Sequence, residues 1–385
     1  MLPLPPYRFP LTDCPPAVQP HSPGKGLVQT SSGPFDILTH YTRTLDSDPD
    51  LTMPIAAIES LVALLSSTSA TATTMAEFLA IIQSGIHVLK SSVPNAISLS
   101  AGCDLFLRYI LRSVEDPRDF DACRAHLLTH GRLFVDRAKS SRWAIAQFGK
   151  DLIRDGSVVL LHSYSRVVTA LLSNAAENNI RFQCIILETS PSMTGLITAR
   201  ILRSKGIPCS VIPDNAVGYV MAKVDMVLVG AEGVVENGGI INAMGTYTMA
   251  VQAKANNKPF YVLAESHKFV RLFPLNQFDL PVQPPFQNLL SFTTEEKNPF
   301  SGKGPLREFA YPDLVVVETD KQPGAGLGTE KEQQPELPPV AMGKRGKGSA
   351  PLVDFTRPEF ITALISESGV MTPSAVSEEL IKIYS

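Results

Sequence analysis

Five short runs of Val, Ile and Leu, at 157–161, 184–187, 208–212, 226–229 and 260–263, punctuate the middle of the chain. Stretches of helical spacing lie between them, at 166–177, 193–205, 216–223 and 246–256. Strands that are apolar throughout, each followed by a helix, suit a parallel sheet covered on both faces. This alternation predicts an α/β fold with right-handed crossovers. Residues 314–317 and 361–365 read as further strands, and a closing helix is expected from about Thr372-Pro373-Ser374.

The part before the alternation reads differently. Met53-Pro54 opens a segment whose Ile55, Ile58, Leu61, Val62 and Leu65 recur at helical spacing, with proline in a first-turn position. Thr74 and Glu77 have capping-box spacing ahead of the apolar stripe Phe78, Leu79, Ile82, Ile86 and Leu89. The same style continues over 100–114 and 119–153, so 35–150 is expected to be a helical domain and 151–385 the α/β domain. Nine prolines fall in the first 34 residues, which have no strand or helix period, and this head is expected to be disordered. A flexible insertion is expected at about 320–350, where large apolar residues are scarce. Its basic Lys344-Arg345-Gly346-Lys347 fits a solvated loop better than a nucleic-acid contact.

Several classes are excluded. A net charge of −3 over 385 residues does not suit a domain built to coat nucleic acid or an anionic membrane. The sequence shows no apolar run long enough to span a bilayer and no secretory pattern, so a cytosolic protein is expected. Cys14, Cys103, Cys123, Cys184 and Cys209 are scattered, without a CxxC pair, and read as reduced thiols. There is no GxxxxGK[ST] loop, no GxSxG elbow and no HExxH. His126 and His130 lie one helical turn apart but lack a third ligand, so no metal site is expected.

In an open parallel sheet, ligands bind beyond the carboxyl ends of the strands. The residues expected there are polar: His162-Ser163-Tyr164-Ser165-Arg166, Glu188-Thr189-Ser190, Asp214-Asn215, Glu232 and Glu265-Ser266. Helix capping accounts for Ser190, Asp214 and Thr246, taken singly, as well as a ligand does. Two stretches exceed capping. His162 to Arg166 sets hydroxyls and a guanidinium at a strand-to-helix turn, which favours an anion such as phosphate. Gly230 to Thr246 reads as a glycine-rich loop holding Glu232, Asn237, Gly238, Gly239, Asn242 and Gly245. Its glycines admit a ligand or another backbone, and Glu232 suits sugar hydroxyls, proton transfer or a salt bridge.

These stretches carry a resemblance. Val229 to Asn242 with Gly245-Thr246, Asn257 to Val262, Glu265-Ser266, Lys268 to Asn276 and Thr372 to Lys382 resemble the alpha class of the regulatory subunits of eukaryotic translation initiation factor two B. So do His162 to Val168 and Asp104 to Arg108, and the resemblance spans roughly 36–385. It implies a helical domain followed by a Rossmann-like domain. It further implies a regulatory role in a guanine-nucleotide exchange factor whose catalytic domain lies in another subunit. The implied partners are a second copy of the chain, the beta, gamma, delta and epsilon subunits, and initiation factor two with its alpha subunit phosphorylated. Neither a membrane nor a nucleic acid is implied, and no cofactor is required.

The fold is shared with sugar-phosphate isomerases acting on methylthioribose 1-phosphate or ribose 1,5-bisphosphate. The methylthioribose enzymes resemble the chain at the same two stretches, with cysteine where Ser163 stands and aspartate where Glu232 stands. The resemblance therefore implies loss of turnover, with a pocket for a sugar phosphate or nucleotide retained and Lys268 among its anion ligands. An active aldose-1-phosphate to ketose-phosphate isomerase is the alternative.

Overall fold

A computed structural model describes residues 27–30, 33–48, 51–67, 75–93, 97–113, 135–136, 140–190, 192–281 and 353–384. The expected strand at 314–317, the 320–350 insertion, the His126/His130 pair and most of 119–139 lie outside the described residues.

The chain enters through a hairpin, β1 (Leu27–Thr30) against β2 (Gly33–Asp36). Residues 27–30 and 33–34, expected in a disordered head, are strand instead, and Val28 finds a place in the helical core; residues 1–26 lie outside the described residues. Four helices follow: α1 (Ile37–Ser47), α2 (Met53–Ser67), α3 (Met75–Ser92) and α4 (Ile97–Ser113). The Asp36 carboxylate caps α1 by accepting the Thr39 N–H at 3.0 Å. Helix α2 is apolar nearly all round and is the buried axis of the group. Tyr41, Ile58, Leu61, Leu64, Phe78 and Phe106 close the core around it. A further helix, α5, is described over 140–148.

The main sheet has seven strands, in the order β13-β12-β9-β6-β3-β4-β5. Six are parallel: β3 (Val158–His162), β4 (Gln183–Leu187), β5 (Cys209–Ile212), β6 (Met226–Gly230), β9 (Phe260–Leu263) and β12 (Ala363–Ser366). The antiparallel β13 (Gly369–Met371) closes one edge. Helices α6 (Arg166–Glu177) and α7 (Thr194–Ser204) carry the chain between β3, β4 and β5. A short turn, α8 (Val217–Val220), stands where a longer helix at 216–223 is expected, flanked by 3-10 turns.

Side chains alternate across this sheet. Leu160, Val227, Val229, Val262 and Leu364 pack under α9 (Thr246–Ala255) and α10 (Val376–Tyr384). Val159, Leu161, Leu228, Leu263 and Ile365 pack under α6 and α7. That period of two lets strands of unbroken Val, Ile and Leu serve two cores at once.

The glycine-rich stretch at 230–246 is not a loop. It forms β7 (Gly233–Val235) and β8 (Ile240–Ala243), the middle of a second sheet of order β10-β7-β8-β11. Its outer strands are β10 (Phe269–Val270) and β11 (Val353–Thr356). Val234, Val235, Ile240 and Ile241 are wholly buried, and Asn237-Gly238 between them is a hairpin turn signal. Ile97 and Ala101 of α4 pack on this sheet with Val235, Ile241 and Phe355.

Gly238 has φ +83, and a Cβ there would fall 2.1 Å from the carbonyl oxygen of Pro373. Gly206 also has positive φ, +78, but opens onto free space. Gly206→Ala is expected to cost about 1–2 kcal/mol, from backbone strain alone. Gly238→Ala should cost a further ~1–3 kcal/mol, because backbone must move. Equal losses in urea unfolding would contradict the packing of this turn.

Candidate functional site

Strands β3 and β6 are neighbours, yet the chain winds away from them in opposite directions, through β4 to β5 and through β9 to β12. Such a reversal opens a crevice at the carboxyl ends, where ligands of open α/β sheets bind. Leu161 pairs with Leu228, so Ser163 and Gly230 leave the sheet side by side. Gly230 packs against the next turn rather than against Ser163: a Cβ on it would lie 2.3 Å from Ser165 Oγ.

Two residues at these strand ends hold left-handed backbone, Ser163 at φ 62 and Thr189 at φ 62. Each such residue costs on the order of 1–3 kcal/mol, more readily spent at functional sites than elsewhere. Hydrogen bonds hold both. Ser163 N–H donates to Thr189 Oγ1 at 2.8 Å, and Thr198 Oγ1 donates to the Ser163 carbonyl at 2.8 Å. The Asp214 carboxylate, from the end of β5, accepts the N–H groups of Thr189 at 2.9 Å and Ser190 at 2.6 Å. Asp214 thus fixes the turn after β4. Burial and the Asp214 charge raise the pKa of its half-buried neighbour Glu188.

Ser163 Oγ lies 3.0 Å from Thr194 Oγ1, which lies 3.2 Å from Ser192 Oγ. These hydroxyls gather where α7 begins. Ser192 and Thr194 were not singled out in the sequence, although a Ser-x-Thr pair ahead of an apolar helical stripe is a helix-start signal. The hydroxyl partnering Ser163 is no base, so nothing in this set activates Ser163 as a nucleophile. Ser192 Oγ donates its hydrogen to the Thr189 carbonyl at 2.9 Å, so Ser163 and Thr194 are the hydroxyls that suit the oxygens of an anion.

His162 is 2% exposed, and its burial holds the imidazole down at about 4, against a smaller upward pull from Asp214. It is neutral at physiological pH. Its Nδ1 lies 3.0 Å from Thr246 Oγ1. The Thr246 hydroxyl donates its one hydrogen to the Ala243 carbonyl at 2.7 Å and accepts from Asn242 Nδ2 at 3.1 Å. His162 Nδ1 is therefore the donor to Thr246, which leaves Nε2 as the acceptor. That buried atom has no hydrogen-bond partner among the described residues. Gly245, at φ +105, faces it, and a Cβ there would sit 3.2 Å away. The missing Cβ leaves this buried nitrogen uncrowded on the Gly245 side.

Asp354 on β11 locks this corner. Its Oδ2 accepts the N–H groups of Gly245 at 2.8 Å and Tyr247 at 3.0 Å, capping α9 from a distant strand. Burial pushes its carboxyl up to about 7, although these two bonds pull it down. No reading of the sequence marked 353–356 as a strand or Asp354 as a site residue. The signal present was a lone acid within a β-branched and aromatic run.

The structure therefore gathers His162, Ser163, Asn242, Gly245 and Thr246, with Glu188 and Asp214 behind the neighbouring turn. Ser165 caps α6, accepting from Val168 N–H at 3.4 Å, and the Arg166 guanidinium lies 5.7 Å from the Tyr164 ring centre. Half-buried Glu232 follows β6, its N–H bound to the Ile241 carbonyl at 2.9 Å. Asn237, Gly238 and Gly239 build the β7–β8 turn instead: Asn237 Oδ1 accepts the Gly239 N–H at 2.9 Å, and its amide donates to the Pro274 carbonyl at 3.3 Å. Here the glycines admit backbone. Lys268 belongs to another cluster, 3.0 Å from the buried Glu265. Burial pushes Glu265 up, but Lys268 and His267 outweigh it and hold the carboxyl at about 2. Among the described residues no group of His, Cys, Asp and Glu is arranged to hold a metal, and no helix is long and apolar enough to cross a membrane.

The model of the initiation factor 2 subunit family matches residues 46–373. The chain belongs to this family. It is 35% identical over 353 residues to translation initiation factor eIF2B subunit alpha of Dictyostelium discoideum, covering 91% of this chain and 97% of that protein. It is 34% identical over 183 residues to ribose 1,5-bisphosphate isomerase of Archaeoglobus fulgidus, covering 48% of this chain and 56% of the enzyme. Among solved structures, the tetrameric eIF2B-beta2-delta2 complex from C. thermophilum has a chain with a TM-score of 0.61 and 16% identity, covering 90% of this chain and 93% of that one. The fold of helices followed by a parallel sheet is thus the family fold.

The buried Asp354 gives a pH test. Its folded value of about 7 exceeds its ordinary 3.8, so between these the folded protein binds more protons than the unfolded chain. The wild type therefore loses stability from this group as pH rises through that window. Asp354→Asn carries no such loss. Its stability relative to wild type should improve from pH 4 to 8, by at most about 1.4 kcal/mol for each unit between the two values. Asp354→Ala should be worse than wild type throughout, with the Gly245 and Tyr247 N–H groups unpaired. A pH-independent difference between Asp354→Asn and wild type in urea unfolding would contradict the assignment.

Proposed function

We propose that the chain is the regulatory alpha subunit of the guanine-nucleotide exchange factor for initiation factor two. In this role it pairs with a second copy of itself, joins the beta, gamma, delta and epsilon subunits, and lowers exchange when the alpha subunit of initiation factor two is phosphorylated. One observation carries the reading: 35% identity to an eIF2B alpha subunit along 97% of that protein, rather than over one shared segment. The eIF2B-beta2-delta2 assembly of a chain of like fold supports membership of a multi-subunit complex. Work beside the ribosome places the protein in the cytosol.

The switch-point pocket serves in this reading as a binding site without turnover. Ser163 and Thr194 supply hydroxyls to an anion, and His162 Nε2 accepts from a sugar or ribose hydroxyl. A sugar phosphate or nucleotide meets both requirements. The relationship to ribose 1,5-bisphosphate isomerase favours a second reading, active isomerisation. Against it, Ser163 Oγ pairs with the Thr194 hydroxyl rather than with a base among the described residues, and His162 is too weak a base to hold a proton near neutrality.

The full chain, tagged and expressed in its own cells, is expected to co-purify with the other four subunits in stoichiometric amount. Added to a complex depleted of it, the chain should restore inhibition of nucleotide exchange by phosphorylated initiation factor two. A lone monomer with no effect on exchange would overturn the regulatory reading. Conversion of ribose 1,5-bisphosphate that disappears in Glu232→Gln would establish the isomerase instead.

A further inference from the structure

Cys184 on β4 and Cys209 on β5 stand directly opposite each other in the parallel register. Such partners point to one face of a sheet, with strands about 4.7–4.9 Å apart. That spacing falls inside the ~4.4–6.8 Å between Cα atoms that a disulfide spans. Both side chains lie in the apolar layer under α7, where the Cys209 thiol donates to the Ile207 carbonyl at 3.2 Å. Separation in sequence hid this pair, since neither cysteine belongs to a local motif.

The two are not equivalent. Cys184 is buried, and the neighbouring Cys209 thiol together with burial drives its pKa up. Cys209 is half exposed on the edge strand. The neighbouring Cys184 thiol lowers its pKa, burial opposes this, and the Arg203 guanidinium adds to the lowering. Arg203 is fixed in place by donating to the Cys209 carbonyl at 2.9 Å. An open groove of about 900 Å³ runs along this edge, lined by both cysteines with Arg203, Tyr219 and Lys223. A small oxidant can reach Cys209 through it. The groove touches Val158 and Gln183, at the amino ends of β3 and β4, so it is separate from the His162 pocket at their carboxyl ends.

We propose that Cys209 is an oxidation site and Cys184 its resolving partner, the two forming a reversible disulfide on exposure to a peroxide. The Cys209 thiolate attacks one peroxide oxygen and the O–O bond breaks. Hydroxide leaves and takes up a proton as water, and Cys209 becomes a sulfenic acid. The Cys184 sulfur then attacks Cys209 Sγ, forming the S–S bond. The sulfenic oxygen leaves as a second water, carrying the Cys184 proton. Two thiols and one hydrogen peroxide thus give one disulfide and two waters. A thiol reductant reverses the bond by exchange, as expected for a half-exposed disulfide.

The test uses the reduced full chain, treated with hydrogen peroxide, alkylated and mapped by peptide mass spectrometry without reduction. The expected product is a peptide joining Cys184 to Cys209, two hydrogens lighter than its parts and separated again by dithiothreitol. Cys103, fully buried with its thiol pushed up to about 12, is the internal reference and should react at least about tenfold more slowly. In Cys184→Ala, Cys209 should accumulate as a sulfenic acid trapped by dimedone. In Cys209→Ala, Cys184 should remain a thiol. A wild-type map with no 184–209 link, with Cys209 joined to Cys14 or Cys123 instead, or with Cys103 oxidised first, overturns the proposal even if a variant fails to fold.

Discussion

The adjacency of β3 and β6 is the constraint on which the site depends. Because the chain winds outward from this pair in both directions, no crossover covers their carboxyl ends. The register that sets Leu161 against Leu228 brings Ser163 beside Gly230. The turn after β4 is then drawn onto Ser163 through Thr189, and Asp214 ties in the end of β5. Four strand ends converge because one pair of strands is the point of reversal.

The second sheet completes what the first begins. It carries β8 and the start of α9 to His162, and β11 brings the Asp354 carboxylate to the same corner. A buried acid capping a helix from another strand is a costly way to satisfy two N–H groups, since an N-cap serine would do so locally. The arrangement makes the corner depend on β11, which follows the long segment outside the described residues.

Much of this was legible in the sequence, and what was not has physical causes. The bounds of α6 and β9 followed from periodicity, because apolar runs of strand length flanked by polar turns leave little choice. The cluster at His162 and Ser163 followed from asking what leaves each strand at its carboxyl end. The β7–β8 hairpin was missed because five glycines within 230–246 outweighed the Val and Ile pairs on either side of Asn237-Gly238. Gly238 and Gly239 then looked like room for a ligand, when that room is filled by Pro373 and β11. Asp354 and Thr194 act through partners far away in sequence, and such pairings leave no local spacing to read. The contact of Cys184 with Cys209 was hidden for the same reason.

Under the proposed function, the switch point keeps His162 neutral, its Nδ1 proton given to Thr246 and its buried Nε2 left for a ligand. Nitrogen-15 NMR of the histidine-labelled chain, with His162 assigned through His162→Gln, measures this directly. The expected result is an Nδ1-protonated ring that does not titrate until about pH 4 and whose Nε2 signal moves when a sugar phosphate is added. An ordinary titration near ~6.5, with no response to sugar phosphates or nucleotides, would contradict it.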